Sequence, residues 1–234
     1  DYLAGNNSAN RLKGYGGHDS LYGGFGKDKL YGGTDNDLLF GGAAQDTIYG
    51  STGNDTLFGG TGADFLYGGA GDDTFYDGDG EDYVIAGDGN DYVRVTDAGK
   101  NIYRGGDGDF DFIDFYDALT GVRISTSFGA RGENNRASWS YEDVIEDFES
   151  IGGSNIGADV LSGGSGENHL FGNGGDDSLY GGGGPDRLYG GAGDDYLKAS
   201  ANGSFYGGTG ADYLSFYGRY AAAANFLDLD LATG

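Results

Sequence analysis

Cysteine is absent from the 234-residue chain, so neither a disulfide nor a thiolate metal site is available to it. Basic residues are scarce, 13 against 38 acidic ones, and the formal net charge of −25 excludes nucleic acid and anionic membrane surfaces as electrostatic partners. It calls for cations instead. No apolar run approaches the roughly 18 residues of a membrane span, which argues against membrane insertion by this segment. No signal peptide is visible at Asp1, so an export signal is expected elsewhere in the protein. A secreted chain without disulfides needs another staple, and bound metal is the obvious candidate.

What is abundant is glycine, with 52 residues, roughly three times its average share. Such an acidic, glycine-rich composition can signal disorder, but 19 Tyr, 14 Phe and evenly spaced aliphatics contradict that reading. The spacing is nine. Repeats starting at Gly5 recur in phase at 14, 23, 32, 41, 50, 59, 68, 77, 86 and 95, with no insertion through Tyr103. The eighth position is apolar throughout: Leu12, Leu21, Leu30, Leu39, Ile48, Leu57, Leu66, Phe75, Val84, Val93 and Ile102. The sixth is aspartate at Asp19, Asp28, Asp37, Asp46, Asp55, Asp64, Asp73, Asp82 and Asp91, broken only by Asn10 and Lys100 at the two ends. A second block begins near Ser154, with Asp159, Asn168, Asp177, Asp186 and Asp195 in the sixth position. One of its repeats, 199–206, is a residue short before Asp212 and Leu214 restore the pattern.

Each repeat dictates its own local structure. Glycines at the first, second and fourth positions make that half a turn. The eighth residue sits inward on a three-residue strand whose seventh and ninth residues face out. So short a strand is stable only when copies stack, pairing with equivalents above and below and burying a continuous apolar column. Two nonapeptides make one coil of eighteen residues. Asp19, Asp37, Asp55, Asp73 and Asp91 then form one column of carboxylates, and Asp28, Asp46, Asp64 and Asp82 the opposite one. Like charges at strand spacing repel unless neutralised. A hard divalent cation between turns does that, and the bare glycine turns offer carbonyl oxygens as well, a donor set that suits Ca²⁺ better than Mg²⁺. The two histidines, His18 and His169, are isolated, which argues against zinc or copper.

The pattern G-G-x-G-x-D-x-U-x, as in Gly23–Tyr31 (GGFGKDKLY) and Gly59–Tyr67 (GGTGADFLY), resembles the RTX, or haemolysin-type calcium-binding, repeat family. The resemblance implies an all-β fold, a right-handed parallel β-roll with calcium between adjacent turns. It implies ligation by the sixth-position side chains, Asp19 through Asp91 as above and Asp159, Asn168, Asp177, Asp186, Asp195 and Asp212. Backbone carbonyls of the first four positions join them, alternate ones serving the ions above and below. In the first block these are Gly14, Gly16, Gly23, Gly24, Gly26, Gly32, Gly33, Gly41, Gly42, Gly50, Gly53, Gly59, Gly60, Gly62, Gly68, Gly69, Gly71, Gly78 and Gly80. In the second they are Gly163, Gly164, Gly172, Gly174, Gly181, Gly182, Gly184, Gly190, Gly191 and Gly193. It also implies type I secretion from a Gram-negative-type bacterium, unfolded through calcium-poor cytoplasm, with folding in calcium-rich medium outside. Three departures are local. Asp35 and Ala44 replace the fourth-position glycine, Asn168 is a weaker ligand than aspartate, and Lys100 ends its ion column because an ammonium cannot ligate. On the order of ten to twelve Ca²⁺ ions are expected across both blocks, so the apo chain should be expanded and the holo chain compact.

Residues 104–153 leave the repeat. Asp111–Tyr116 and Val122–Ser127 read as strands, Tyr141–Phe148 as a strand or a short helix, and Trp139 as a packing residue. The expected organisation is a first roll over 1–103, a small β-rich spacer over 104–153 and a second roll over 154–215. Residues 216–234 begin a second spacer, since Asp212–Tyr217 (DYLSFY) echoes DFIDFY of 111–116 and Leu227–Gly234 echoes the stretch from Gly121, and both ends look cut from a longer array. An EF-hand reading of Asp107, Asp109 and Asp111 fails because Phe112 replaces the required glycine and Ala118 the final glutamate.

The ninth position carries an aromatic ladder, Tyr22, Tyr31, Phe40, Tyr49, Phe58, Tyr67 and Tyr76. Cross-strand stacking is the simplest role for it; a carbohydrate-binding or self-association stripe is the alternative. The seventh position (Ser20, Lys29, Leu38, Thr47, Thr56, Phe65, Thr74) lacks the uniform Thr or Asn array of an ice-binding face. No nucleophile elbow, zinc helix or phosphate loop occurs, so the chain is expected to carry no catalytic site of its own. Two functions fit these expectations: a calcium-triggered secretion and folding module of a larger secreted protein, or a structural repeat of an adhesin or surface-layer protein.

Overall fold

A computed structural model describes residues 1–96, 99–108, 110–117, 123–125, 135–138, 142–199, 203–216 and 229–230. Every regular element among them is a β-strand, and successive coils pair in parallel register. The molecule is all-β and built as a parallel β-roll. None of the described residues forms a helix long and apolar enough to cross a membrane. Two compact units are distinguished: residues 1–113 with 141–148, and residues 114–140 with 149–234.

In the first unit, strands Tyr2–Ala4, Ser20–Phe25, Leu38–Ala43, Thr56–Thr61, Thr74–Asp79 and Tyr92–Arg94 form one ladder. Strands Arg11–Gly16, Lys29–Thr34, Thr47–Thr52, Phe65–Ala70, Tyr83–Asp88 and Ile102–Asp107 form the other, extended by Glu142–Glu146. Leu21 pairs with Leu39 and Leu39 with Leu57, so each coil advances eighteen residues. Leu21, Leu39, Leu57, Phe75 and Val93 fill the core from one side and Leu30, Ile48, Leu66 and Val84 from the other, all fully buried. Each such side chain contributes about 1.5–3 kcal/mol of burial. Except for Tyr2–Ala4 and Tyr92–Arg94, the strands of these ladders from Arg11 to Asp107 run six residues rather than three, because the chain keeps pairing through the glycine corner: Gly24 faces Gly42 and Phe25 faces Ala43.

The second unit repeats the plan. Ser150–Gly152, His169–Gly174, Arg187–Ala192 and Ser204–Thr209 make one ladder. Arg123–Ser125, Val160–Ser162, Ser178–Tyr180, Tyr196–Ala199 and Tyr213–Phe216 make the other. The short repeat appears as a pairing of Leu188 with Phe205, seventeen residues on. The three spacer segments that read as strands or as strand-or-helix all contain strands, Phe112–Asp114, Arg123–Ser125 and Glu142–Glu146. Arg123–Ser125 and Glu142–Glu146 join the ladders in parallel register, pairing with Val160–Ser162 and with Ile102–Arg104. Trp139 and residues 217–228 and 231–234 lie outside the described residues.

The nine-residue phase does not hold to Tyr103. Tyr83 pairs with Ile102 and Val84 with Tyr103, nineteen residues apart. Tyr103, not Ile102, therefore enters the core column, where it is fully buried. Lys100 leaves the sixth-position column altogether and stands exposed, and Asn101 takes its place. The slip is accommodated by Asp77, which stands where earlier repeats have glycine. Its Oδ1 accepts from the Thr96 N–H at 2.9 Å and its Oδ2 from the Tyr103 hydroxyl at 2.5 Å.

Candidate metal centres

The sixth-position side chains lie at the end of each glycine turn, just before the strand, where the stacking of coils seals them from solvent. Asp19, Asp28, Asp37, Asp46, Asp55, Asp64, Asp73, Asp82, Asp91, Asp159, Asn168, Asp177, Asp186 and Asp195 are all buried, and Asp212 is half-buried. Each coil is tied to the next through them. The Asp19 N–H donates to Asp37 Oδ1 at 2.8 Å, Asp37 to Asp55 at 2.7 Å, and Asp55 to Asp73 at 2.7 Å. On the opposite edge Asp28 donates to Asp46 and Asp46 to Asp64, both at 2.7 Å, and Asp64 to Asp82 at 2.8 Å. In the second unit Asp159, Asp177 and Asp195 donate onward as far as Asp212 Oδ1, and Asn168 to Asp186.

One oxygen of each carboxylate is thus engaged, and in most of them the other is not. Oδ2 of Asp19, Asp28, Asp37, Asp46, Asp55, Asp64, Asp73, Asp91, Asp177, Asp186 and Asp195 is buried and accepts no hydrogen bond from the described residues. A buried carboxylate oxygen left without a donor costs several kcal/mol unless a cation meets it. The same atoms perturb one another. Burial raises the pKa of Asp46 to about 7 and of Asp73 to about 8, and the neighbouring carboxylates of the same column push the same way. The backbone N–H bond to each opposes the rise.

Carbonyl oxygens converge on these sites. A Cβ built on Gly14 would collide with Asp19 Oδ2 and with the Gly32 carbonyl of the next coil, and one on Gly32 with Asp37 Oδ2 and the Gly50 carbonyl. First-position carbonyls thus aim back at the preceding coil. Second-position carbonyls aim forward, Gly24 O at Gly42 and Gly42 O at Gly60. Where the first position is glycine, the absence of a side chain keeps the cradle open; Asp77 and Ala86 stand there in the repeats of Asp82 and Asp91, with their carbonyls still aimed back at Gly59 and Gly68. No three His, Cys, Asp or Glu side chains converge among the described residues. One carboxylate per turn with backbone oxygens is a hard, oxygen-only donor set. It fits Ca²⁺ and not a nitrogen- or sulfur-seeking metal.

The four columns end differently. Asp159 accepts from the Ser154 N–H at 2.7 Å and from its hydroxyl, at 3.0 Å to Oδ1 and 3.2 Å to Oδ2, so its own turn occupies it. Asn168 directs Oδ1 at the Gly164 N–H of its own loop, 2.9 Å away, and buries its Nδ2. Asp111, which sequence reading did not assign, continues the first column: the Asp91 N–H donates to its Oδ1 at 2.9 Å. The signal for it was present, since Gly105–Gly108 (GGDG) opens a repeat whose aspartate comes one residue late. Asn101 likewise accepts from the Asp82 N–H at 2.7 Å.

The aromatic ladder stacks on itself. Tyr22, Phe40, Phe58 and Tyr76 lie ring over ring at 4.5–4.6 Å with interplanar angles of 3–9°. Tyr31, Tyr49 and Tyr67 form a second such row. The strand spacing sets this geometry, and it leaves the inner ring faces covered by one another.

A family model of the RTX calcium-binding nonapeptide repeat, four copies long, matches residues 1–30, 26–57, 58–93, 154–188 and 171–214, about two thirds of the chain. Among curated proteins, no sequence matches.

Proposed function

The chain belongs to the RTX calcium-binding nonapeptide repeat family, and on that premise we propose that it is the calcium-folded segment of a larger secreted protein. RTX repeats bind Ca²⁺, and their roll is a structural module rather than a catalytic one. In this chain the proposed ligands are Asp19, Asp37, Asp55, Asp73 and Asp91 on one edge of the first unit and Asp28, Asp46, Asp64 and Asp82 on the other. The second unit offers Asp177, Asp186, Asp195 and Asp212, with Asp159 and Asn168 as weaker members. First- and second-position carbonyls complete each site. The observation that carries this reading is the row of buried Oδ2 atoms with no donor among the described residues. Calcium supplies positive charge there without needing a protein cation, and on the order of ten ions would offset most of the formal charge of −25.

The residues do the rest. Without metal, stacking forces desolvated carboxylates into columns, which favours an expanded chain; with metal, the same columns hold consecutive coils together. Type I export of the unfolded chain and folding in calcium-rich medium outside the cell are what membership of the RTX repeat family implies, and this calcium dependence is consistent with them. The chain is expected to be extracellular. The self-stacked aromatic rows support a stiffening role over carbohydrate binding, since their inner faces are already covered. Far-UV circular dichroism in EGTA and in millimolar calcium tests the proposal: strand signal should appear on adding calcium. A spectrum unchanged between the two conditions would overturn it.

A further inference from the structure

The two edges of the first roll are not equivalent. On the edge carrying Asp37, Asp55, Asp73 and Asp91, the residue just before each aspartate is Asn36, Asn54, Asp72 or Asn90. These side chains build a second ladder outside the first. Asn36 Oδ1 accepts from the Asn54 N–H at 3.0 Å, Asn54 Oδ1 from Asp72 at 3.0 Å, and Asp72 Oδ1 from Asn90 at 2.9 Å. Its sense is opposite to that of the aspartate ladder: here the N–H points back to the preceding coil, there it points on to the next. In the second unit Asp176 and Asp194 do the same, accepting from Asp194 at 2.9 Å and from Ala211 at 2.8 Å. On the other edge the corresponding residues are Lys27, Gln45, Ala63 and Glu81. None of them accepts a backbone N–H from the next coil among the described residues.

A trans peptide fixes its carbonyl antiparallel to its N–H. Turning the Asn54 N–H backward therefore turns the Gly53 carbonyl forward, and a Cβ on Gly71 of the next coil would collide with that oxygen. The Asp72 N–H does the same for Gly71 O, which faces Gly89. Fourth-position carbonyls on the opposite edge also face forward, as Gly62 O does toward Gly80, but among the described residues no side chain of the preceding coil accepts from the Ala63 N–H to hold the Gly62 peptide.

We propose that Asn36, Asn54, Asp72 and Asn90 are positioning residues that lock the fourth-position carbonyls of one edge toward the following coil, so that this edge takes calcium at lower concentration than the other. The inference rests on the calcium reading above and adds an order of filling to it. A net hydrogen bond per turn corresponds to a preference of about threefold to tenfold.

The test is a calcium titration of the whole chain from EGTA, followed by the amide resonances of individual glycines. Gly53 and Gly71 should reach their bound positions at about threefold to tenfold lower calcium than Gly62 and Gly80. Asn54→Ala should move the Gly71 midpoint up to those of Gly62 and Gly80, and leave those two and Gly53, whose peptide Asn36 holds, where they were. Asn54→Asp should keep the wild-type order, since Asp72 and Asp194 already do this work with a carboxylate. Equal midpoints on the two edges of the wild type would overturn the proposal, as would an Asn54→Ala shift shared equally by all four glycines. Glycines that ignore calcium altogether would sink the calcium reading itself and take this inference with it.

Discussion

Asp64 separates the two jobs given to each aspartate. Its Oδ1 accepts the buried Asp46 N–H at 2.7 Å, and its Oδ2 has no donor among the described residues. Asp64→Asn keeps an acceptor for Asp46 and replaces the charged oxygen. Asp64→Ala removes both. Leaving the Asp46 N–H buried and unpaired costs about 1–3 kcal/mol, so at saturating calcium the alanine variant should be less stable than the asparagine variant by that amount. The asparagine variant should itself fall below wild type. An ion held at about a hundredfold over its dissociation constant contributes roughly 2.7 kcal/mol, and weakening its site forfeits up to that much. The assay is urea unfolding in millimolar calcium, where a slope of about 1–3 kcal/mol per molar turns each step into a midpoint shift on the order of 1 M. If the two variants unfold together, the Oδ1 ladder contributes nothing. If Asp64→Asn matches wild type in both stability and bound calcium, Oδ2 is not a ligand.

Asp77→Gly restores the residue that earlier repeats carry at this position, yet it should destabilise the roll by about 1–3 kcal/mol, because the Thr96 N–H and the Tyr103 hydroxyl lose their acceptor; a Tm in calcium at or above wild type would contradict this. Protons should substitute in part for calcium. Folded-state values near 7 for Asp46 and Asp91 and near 8 for Asp73 stand above the ordinary 3.8, so the folded form prefers these groups protonated. Their contribution to the metal-free roll is then full below about pH 4 and lost as pH rises through about 7 to 8. Circular dichroism in EGTA should show more strand at pH 4 than at pH 8, and identical spectra would refute the sign.

The period of nine made the coil, the core column and both carboxylate columns legible from sequence, because each depends on a side chain recurring at one position. Leu21 through Val93 and Asp19 through Asp91 stand buried in the columns their spacing assigned. The slip before Asn101 was hidden because Ile102 and Tyr103 both satisfy an apolar position, and only the pairing of Val84 with Tyr103 decides between them. Asp111 was obscured by its late arrival within the repeat. Most strands of the first unit proved twice the expected length because glycine signals a turn while its backbone remains free to pair around the corner. The outer ladder was invisible for another reason: asparagine in a turn is already explained by local backbone preference, and nothing in composition reveals a partner eighteen residues away.

The alternation of that ladder makes the pair, not the single nonapeptide, the interchangeable part of this molecule. Inserting or excising nine residues would leave the apolar column filled but carry every later asparagine to the wrong side, where lysine, glutamine or alanine now stands. Eighteen residues can be added or removed without either side noticing. Shuffling of this chain should therefore tolerate even numbers of repeats and penalise odd ones, a parity written into its edges rather than its interior.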